Sequence, residues 1–165
     1  MRGWVALDVG ASTGGFTDCL LQRGAQRVYA VDVGRGQLAA KLRDEPRVVS
    51  MERTNARHGV ELPESVDLLV ADVSFISLRL VLAPTLVHVR PGGLALVLVK
   101  PQFEAGRREV GRGGVVSDPA IHARTVGGFC LWAIERGLQL LGIRESAPRG
   151  EAGNREFFVL LRPLS

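Results

Sequence analysis

The sequence predicts an α/β protein built on a mostly parallel sheet, and three observations carry that prediction. Short apolar runs alternate with longer helical stretches, the pattern of strand–helix–strand units whose strands run the same way. A run of small residues, Gly10 to Gly15, separates the first strand from the first helix. The last two apolar runs have no helical stretch between them, so the sheet is expected to end in one reversed strand. A chain of 165 residues suits one domain with a core, and 46% apolar against 23% charged residues excludes a disordered chain.

Trp4 to Val9 reads as the first strand, and Gly14 to Gln22 as a helix opened by glycines. Arg27 to Asp32 is a strand, Gly36 to Leu42 a short helix, and Arg47 to Met51 a strand near an edge. Val66 to Ala71 is a strand ending at Asp72, and Leu78 to Val87 a helix that Pro84 kinks or ends. Arg90 to Gly93 (RPGG) reads as a turn, and Leu94 to Val99 as a buried strand. A long Gly- and Arg-rich loop, Pro101 to Val116, follows. The next helix has Ser117 or Asp118 as its cap and Pro119 at its first position, and it stops at Gly137. Leu138 to Ile143 and Phe157 to Leu161 complete the sheet as a hairpin.

Net charge is +4, and 19 of the 21 basic residues are arginine, with Lys41 and Lys100 the two lysines. Arginine suits phosphate and planar contacts. The two cysteines, Cys19 and Cys130, form neither a disulfide framework nor a metal-ligand spacing, which fits a reducing cytoplasm. The three histidines form no spaced set, and no metal site is read. No charge-free stretch approaches the roughly 20 residues of a membrane span, so a spanning role is not expected.

The strongest local signal is Asp8 to Phe16 (DVGASTGGF). Small residues between strand and helix let the backbone approach a ligand, and the helix start offers free N–H groups. Asp32, at the end of the second strand, suits ribose hydroxyls. Gly10 to Gly14 also matches the G-x-S-x-G elbow of α/β-hydrolases, but that elbow follows several earlier strands and here only one precedes it. A nicotinamide dehydrogenase is a further rival, since a glycine loop with Asp32 fits that cofactor too. Asp8, Asp32, Asp72 and Lys100 all fall at strand ends, the edge where open parallel sheets bind ligands. A lysine ending a buried strand needs water, a carboxylate or a substrate, unless it simply snorkels. Glu156 opens the last strand, and its plain reading is an exposed acid. Arg107, Arg108 and Arg112 give the long loop the composition of a phosphate contact, or of a solvated loop.

Four segments together resemble the TlyA-like proteins among the FtsJ-like ribosomal RNA methyltransferases, some of which are labelled haemolysins. They are Asp8 to Phe16, Glu52 to Arg57 (ERTNAR), Ala71 to Leu82 (ADVSFISLRLVL) and Val99 to Ala105 (VKPQFEA). The resemblance spans essentially the whole chain. It implies a Rossmann-like fold that binds S-adenosylmethionine (SAM), with strand order 3-2-1-4-5-7-6. It implies methyl transfer to a ribose 2′-hydroxyl, with ribosomal RNA or a ribosomal subunit as partner. By motif position, Gly10, Ser12, Gly14 and Gly15 line the SAM loop, Asp32 holds the ribose, Asn55 lies near the adenine and Asp72 near the methionine end. The family carries a Lys-Asp-Lys-Glu catalytic set, whose last three members match Asp72, Lys100 and Glu156.

The first lysine of that set has no match, because only Met1 to Gly3 precede the first strand. The family's small N-terminal RNA-binding domain is likewise unmatched. The chain is therefore expected to be the methyltransferase domain with its front end missing, binding SAM but transferring methyl groups weakly or not at all. Lys100 is expected to act as the base, oriented by Asp72 and Glu156. An uncovered apolar sheet face is expected too, inviting self-association. A non-catalytic RNA-binding or haemolytic module is the remaining rival.

Overall fold

A computed structural model describes residues 1–150 and 152–164. Its seven strands are β1 (Val5–Val9), β2 (Arg27–Val31), β3 (Val48–Met51), β4 (Val66–Ala71), β5 (Val89–Val99), β6 (Leu138–Glu145) and β7 (Phe157–Pro163). They form one sheet in the order β3-β2-β1-β4-β5-β7-β6. The first five run parallel, and β7 lies antiparallel between β5 and β6. The expected fold class and strand order are those observed.

Successive residues of a strand point to opposite faces. Leu7, Val9, Leu69 and Ala71 meet α3 (Leu78–Thr85) and α5 (Pro119–Glu135) on one side. Ala6, Val28 and Val70 meet α1 (Gly15–Gln22) and α2 (Ala40–Arg43) on the other. Helix α5 begins as its sequence dictates, with the Asp118 carboxylate accepting the Ala120 N–H at 2.8 Å and Pro119 in the first turn. It buries Phe129 completely, a contribution of roughly 1.5–3 kcal/mol. On the α1 side, Leu94, Leu96, Phe158 and Leu160 are only half buried.

Three expectations are corrected. The helix read over Gly36 to Leu42 shrinks to Ala40–Arg43. The N–H groups of Gly36, Gln37 and Leu38 turn onto the Glu52 carboxylate at 2.7, 3.0 and 3.4 Å, so they are spent on a tertiary contact. The turn read at Arg90 to Gly93 forms, with Gly92 at φ +75°, but it lies inside β5 as a four-residue bulge: Val66 faces Val89 and Leu68 faces Leu94, leaving Arg90 to Gly93 opposite Asp67. The long loop after Lys100 is partly helical, with α4 over Pro101–Glu104 and a 3₁₀ turn over Arg112–Gly114. Pro84 sits in the last turn of α3, after which a 3₁₀ turn, Leu86–His88, leads into β5.

Candidate active site

The parallel strands deliver their carboxyl ends to one rim, and a cavity of about 490 Å³ opens there beyond β1, β2 and β4. Gly10, Ser12, Asp32, Asn55, Asp72 and Ser74 contribute to its wall. Gly10 has φ +83°, and a Cβ on it would collide with the backbone carbonyl of Asp72. A side chain at this position is excluded twice over, by conformation and by space. The N–H groups of Gly10 and Ala11 both donate to the Val31 carbonyl, at 2.9 and 3.1 Å, which ties the loop to the end of β2. Gly14 borders no cleft; a Cβ there would strike Leu42, so its smallness serves the packing of α2. Gly15 has open space around it and borders a second hollow on the α1 side of the loop.

Asp32 already accepts two backbone bonds, from Ser12 N–H at 2.8 Å and Gly34 N–H at 2.7 Å. Each oxygen keeps a second lone pair for a ligand. The Asn55 side-chain Oδ1 accepts the Arg57 N–H at 3.1 Å. Three non-glycine residues adopt left-handed backbone among the described residues: Ser12 (φ 49°), Arg53 (φ 56°) and Phe75 (φ 65°). Ser12 and Phe75 line the cavity, and Arg53 directly precedes its Thr54 and Asn55. Strain of this kind, about 1–3 kcal/mol at each position, concentrates where a site needs it.

The acids divide by environment. Asp8 is wholly buried beneath the glycine loop. Its Oδ2 accepts the Thr17 hydroxyl at 2.6 Å, and its Oδ1 has no hydrogen-bond partner. Burial pushes this carboxyl up to about 6, with smaller upward pushes from Asp72 and Asp32, and the Thr17 bonds resist. Asp72 meets the Lys100 ammonium, with Nζ 2.7 Å from Oδ1. That approach is off the hydrogen-bond direction; the aligned bond from Nζ goes to Ser74 Oγ at 3.0 Å. Glu156 is buried and makes no ion pair with Lys100; it accepts a bond from Gln102 Nε2 at 3.0 Å. Of the two orienting carboxylates expected for Lys100, only Asp72 touches it.

A cleft of about 580 Å³ continues past Phe75, lined also by Gln102, Phe103 and Arg107. Phe75 is 91% exposed, and its ring stands 5.1 Å from that of Phe103. Arg107, Arg108 and Arg112 are exposed and make no ion pair among the described residues, although Glu109 between them binds Arg124. The hydrolase reading of Ser12 finds no base. His88 and His122 are engaged with the carbonyls of Val60 and Val116, each at 2.8 Å, and no histidine lines either cleft. Sequence reasoning had assigned nothing to Ser74, Gln102 or Phe103. Their signals are position and motif: Ser74 stands two residues after Asp72, Gln102 and Phe103 two and three after Lys100, and all three fall in segments that carry the family resemblance.

A seven-stranded sheet with reversed β7, a glycine loop after β1 and a cavity above β1, β2 and β4 defines the Rossmann-like methyltransferase class. Distant members share it: the chain superimposes on a Listeria monocytogenes protein described as a SAM-dependent methyltransferase with a TM-score of 0.73 at 16% identity, covering 99% of this chain and 92% of the other. Residues 1–163 match the FtsJ-like methyltransferase model, and the chain belongs to that family. It is 54% identical to the 16S/23S rRNA (cytidine-2′-O)-methyltransferase TlyA of Mycobacterium tuberculosis, over 98% of this chain and 61% of that protein. It is 41% identical to a Streptococcus thermophilus protein described as a hemolysin, with a TM-score of 0.93 over 98% of this chain and 61% of that one. The chain thus spans about three fifths of the length of these relatives.

Proposed function

We propose that residues 1–165 are a single methyltransferase domain that uses SAM to methylate a ribose 2′-hydroxyl of ribosomal RNA, in the cytoplasm. The observation that carries this reading is the Lys100 ammonium on Asp72 at the mouth of a cavity that only glycine at position 10 leaves open. The residues fit SAM: the Gly10 cradle admits backbone contact, Asp32 has lone pairs at the end of β2, and Asp72 Oδ1 lacks an aligned hydrogen bond. When bound, SAM supplies a methyl group on a positively charged sulfur. Gly10, Ser12, Asp32, Asn55 and Asp72 hold it, with Gly14 and Gly15 shaping the loop from behind.

Most of the work of such a site is positioning. Asp72 fixes the Lys100 side chain, and in its neutral form Lys100 Nζ takes the proton that the 2′-hydroxyl gives up. Glu156 acts through Gln102, which it holds at the edge of the second cleft. Phe75 and Phe103 offer a face for an unstacked base, and Arg107, Arg108 and Arg112 meet the phosphate backbone. Among the described residues no helix is long and apolar enough to cross a membrane.

Calorimetry with SAM and with NAD, paired with tritium methyl transfer to ribosomal subunits, tests the proposal. SAM binds and NAD does not. Lys100→Ala loses transfer by at least about a hundredfold while SAM affinity stays within about twofold. Transfer that survives Lys100→Ala overturns the assignment of the base. RNA binding that depends on Arg107, Arg108 and Arg112 without any SAM binding overturns the enzyme reading.

A further inference from the structure

We propose that Ser74 is a positioning residue for Lys100, fixing the ammonium beside Asp72 so that one direction at the nitrogen is left for a substrate oxygen. The proposal rests on the reading of Lys100 as the group that meets the accepting hydroxyl.

A lysine ammonium carries three donors on a flexible four-carbon stem, so a single ion pair leaves its direction undetermined. In this site the contact with Asp72 supplies charge but poor alignment. The bond to Ser74 Oγ, at 3.0 Å, supplies the direction. Together the two contacts use two of the three donor positions, so that in the neutral amine the third is the lone pair that takes the proton of the substrate hydroxyl. The Lys100 side chain is 13% exposed, which limits the water available to the third.

The backbone around Ser74 is built to hold that hydroxyl in place. Phe75 turns the chain through a left-handed conformation directly after it, and the Phe75 ring packs on Phe103. Further along, the Ser77 hydroxyl and the Leu78 N–H donate to the carboxylate of Glu104, at 2.9 and 2.7 Å. Glu104 is nearly buried, with its side chain 4% exposed. The loop after β4 and the turn after β5 are therefore stitched together by Glu104, by the Phe75–Phe103 pair and by Lys100 with Asp72 and Ser74, the last at the cavity wall. Ser74 itself is exposed and lines the cavity, and its hydroxyl has no hydrogen bond to the scaffold among the described residues. A role confined to stability does not account for that placement.

Because the chain has only two lysines, ¹⁵N-lysine labelling yields two side-chain ammonium signals, which Lys41→Arg assigns. Ser74→Ala is expected to speed proton exchange at the Lys100 ammonium by about fivefold, the factor that one lost hydrogen bond is worth, with Lys41 unchanged. Ser74→Thr, which keeps the hydroxyl, restores the slow exchange. In methyl transfer, Ser74→Ala lowers kcat by about tenfold and shifts the kcat–pH profile, with KM for RNA and SAM affinity within about twofold. Unchanged exchange at Lys100 in Ser74→Ala overturns the proposal, as does a loss of SAM affinity that matches the loss of rate. The exchange measurement needs no turnover. If the chain binds no SAM, the proposed function fails while the role of Ser74 is still decided.

Discussion

The two rims of the sheet carry the same kinds of residue and use them in opposite ways. At the amino rim the two acids around the start of β4, Glu64 and Asp67, are both matched. Glu64 accepts from Arg27 and from the Tyr29 hydroxyl, and Asp67 accepts from the Val5 N–H and from Arg90. At the carboxyl rim Asp8 and Asp72 each keep an oxygen without an aligned hydrogen bond, and so does Gln102 with its side-chain Oε1. The left-handed residues Ser12, Arg53 and Phe75 cluster at this rim too. Matched groups hold a fold together. Unmatched groups and strained backbone mark the place that a ligand completes.

The contrast is broken most severely by Gly10→Ala. The added methyl meets the Asp72 carbonyl in a left-handed conformation, so the variant is expected to lose about 3 kcal/mol of stability and measurable SAM binding. Denaturant midpoints and calorimetry read the two effects. A stable variant that binds SAM normally would erase the distinction between the rims.

Asp8 sharpens the contrast through pH. Its folded-state pKa of about 6 lies above the ordinary 3.8, so the native state holds the proton more tightly than the unfolded chain does. The stabilisation is therefore full below pH 4 and is lost as pH rises through 6, by about 2 kcal/mol between pH 4.5 and 7. Carboxylates held below their usual range, such as Glu45 at about 2 beside Arg47, act in the opposite sense and at lower pH. Asp8→Asn is expected to flatten the decline, as urea midpoints across that window will show. A wild-type curve that is already level contradicts this account of Asp8.

The smallest effect is expected at the amino rim. Arg27→Met removes an ion pair whose partners are 45% and 36% exposed. It should cost less than about 1 kcal/mol and leave SAM affinity untouched. A change in SAM affinity there would show that the rims are coupled.

Much of this frame could be read before any coordinates. Strand periodicity and the Asp118–Pro119 start of α5 are local signals, and local physics decides them. Asp8, Asp32, Asp72 and Lys100 could be placed on one rim because each ends a run of parallel strand. What escaped depends on distant partners. The N–H groups of Gly36 to Leu38 abandon a helix for Glu52, at least 14 residues along the chain. The bulge at Arg90 to Gly93 forms against Asp67 on a neighbouring strand. Gln102 rather than Lys100 holds Glu156, and Ser74 meets Lys100 across two adjacent strand ends, beside a Phe75 whose left-handed backbone no phenylalanine signals in advance.

The reversal of β7 reaches beyond the hairpin. It lets Glu156, at the start of a strand, arrive where the other strands finish, and it sends Pro163 and Leu164 back toward Gly137 and the rim where β1 sets out. The first described residues and Leu164 therefore lie at the rim away from the opening. Anchored to a sensor chip by an affinity tag at either end, the molecule would present its mouth to the flowing solution.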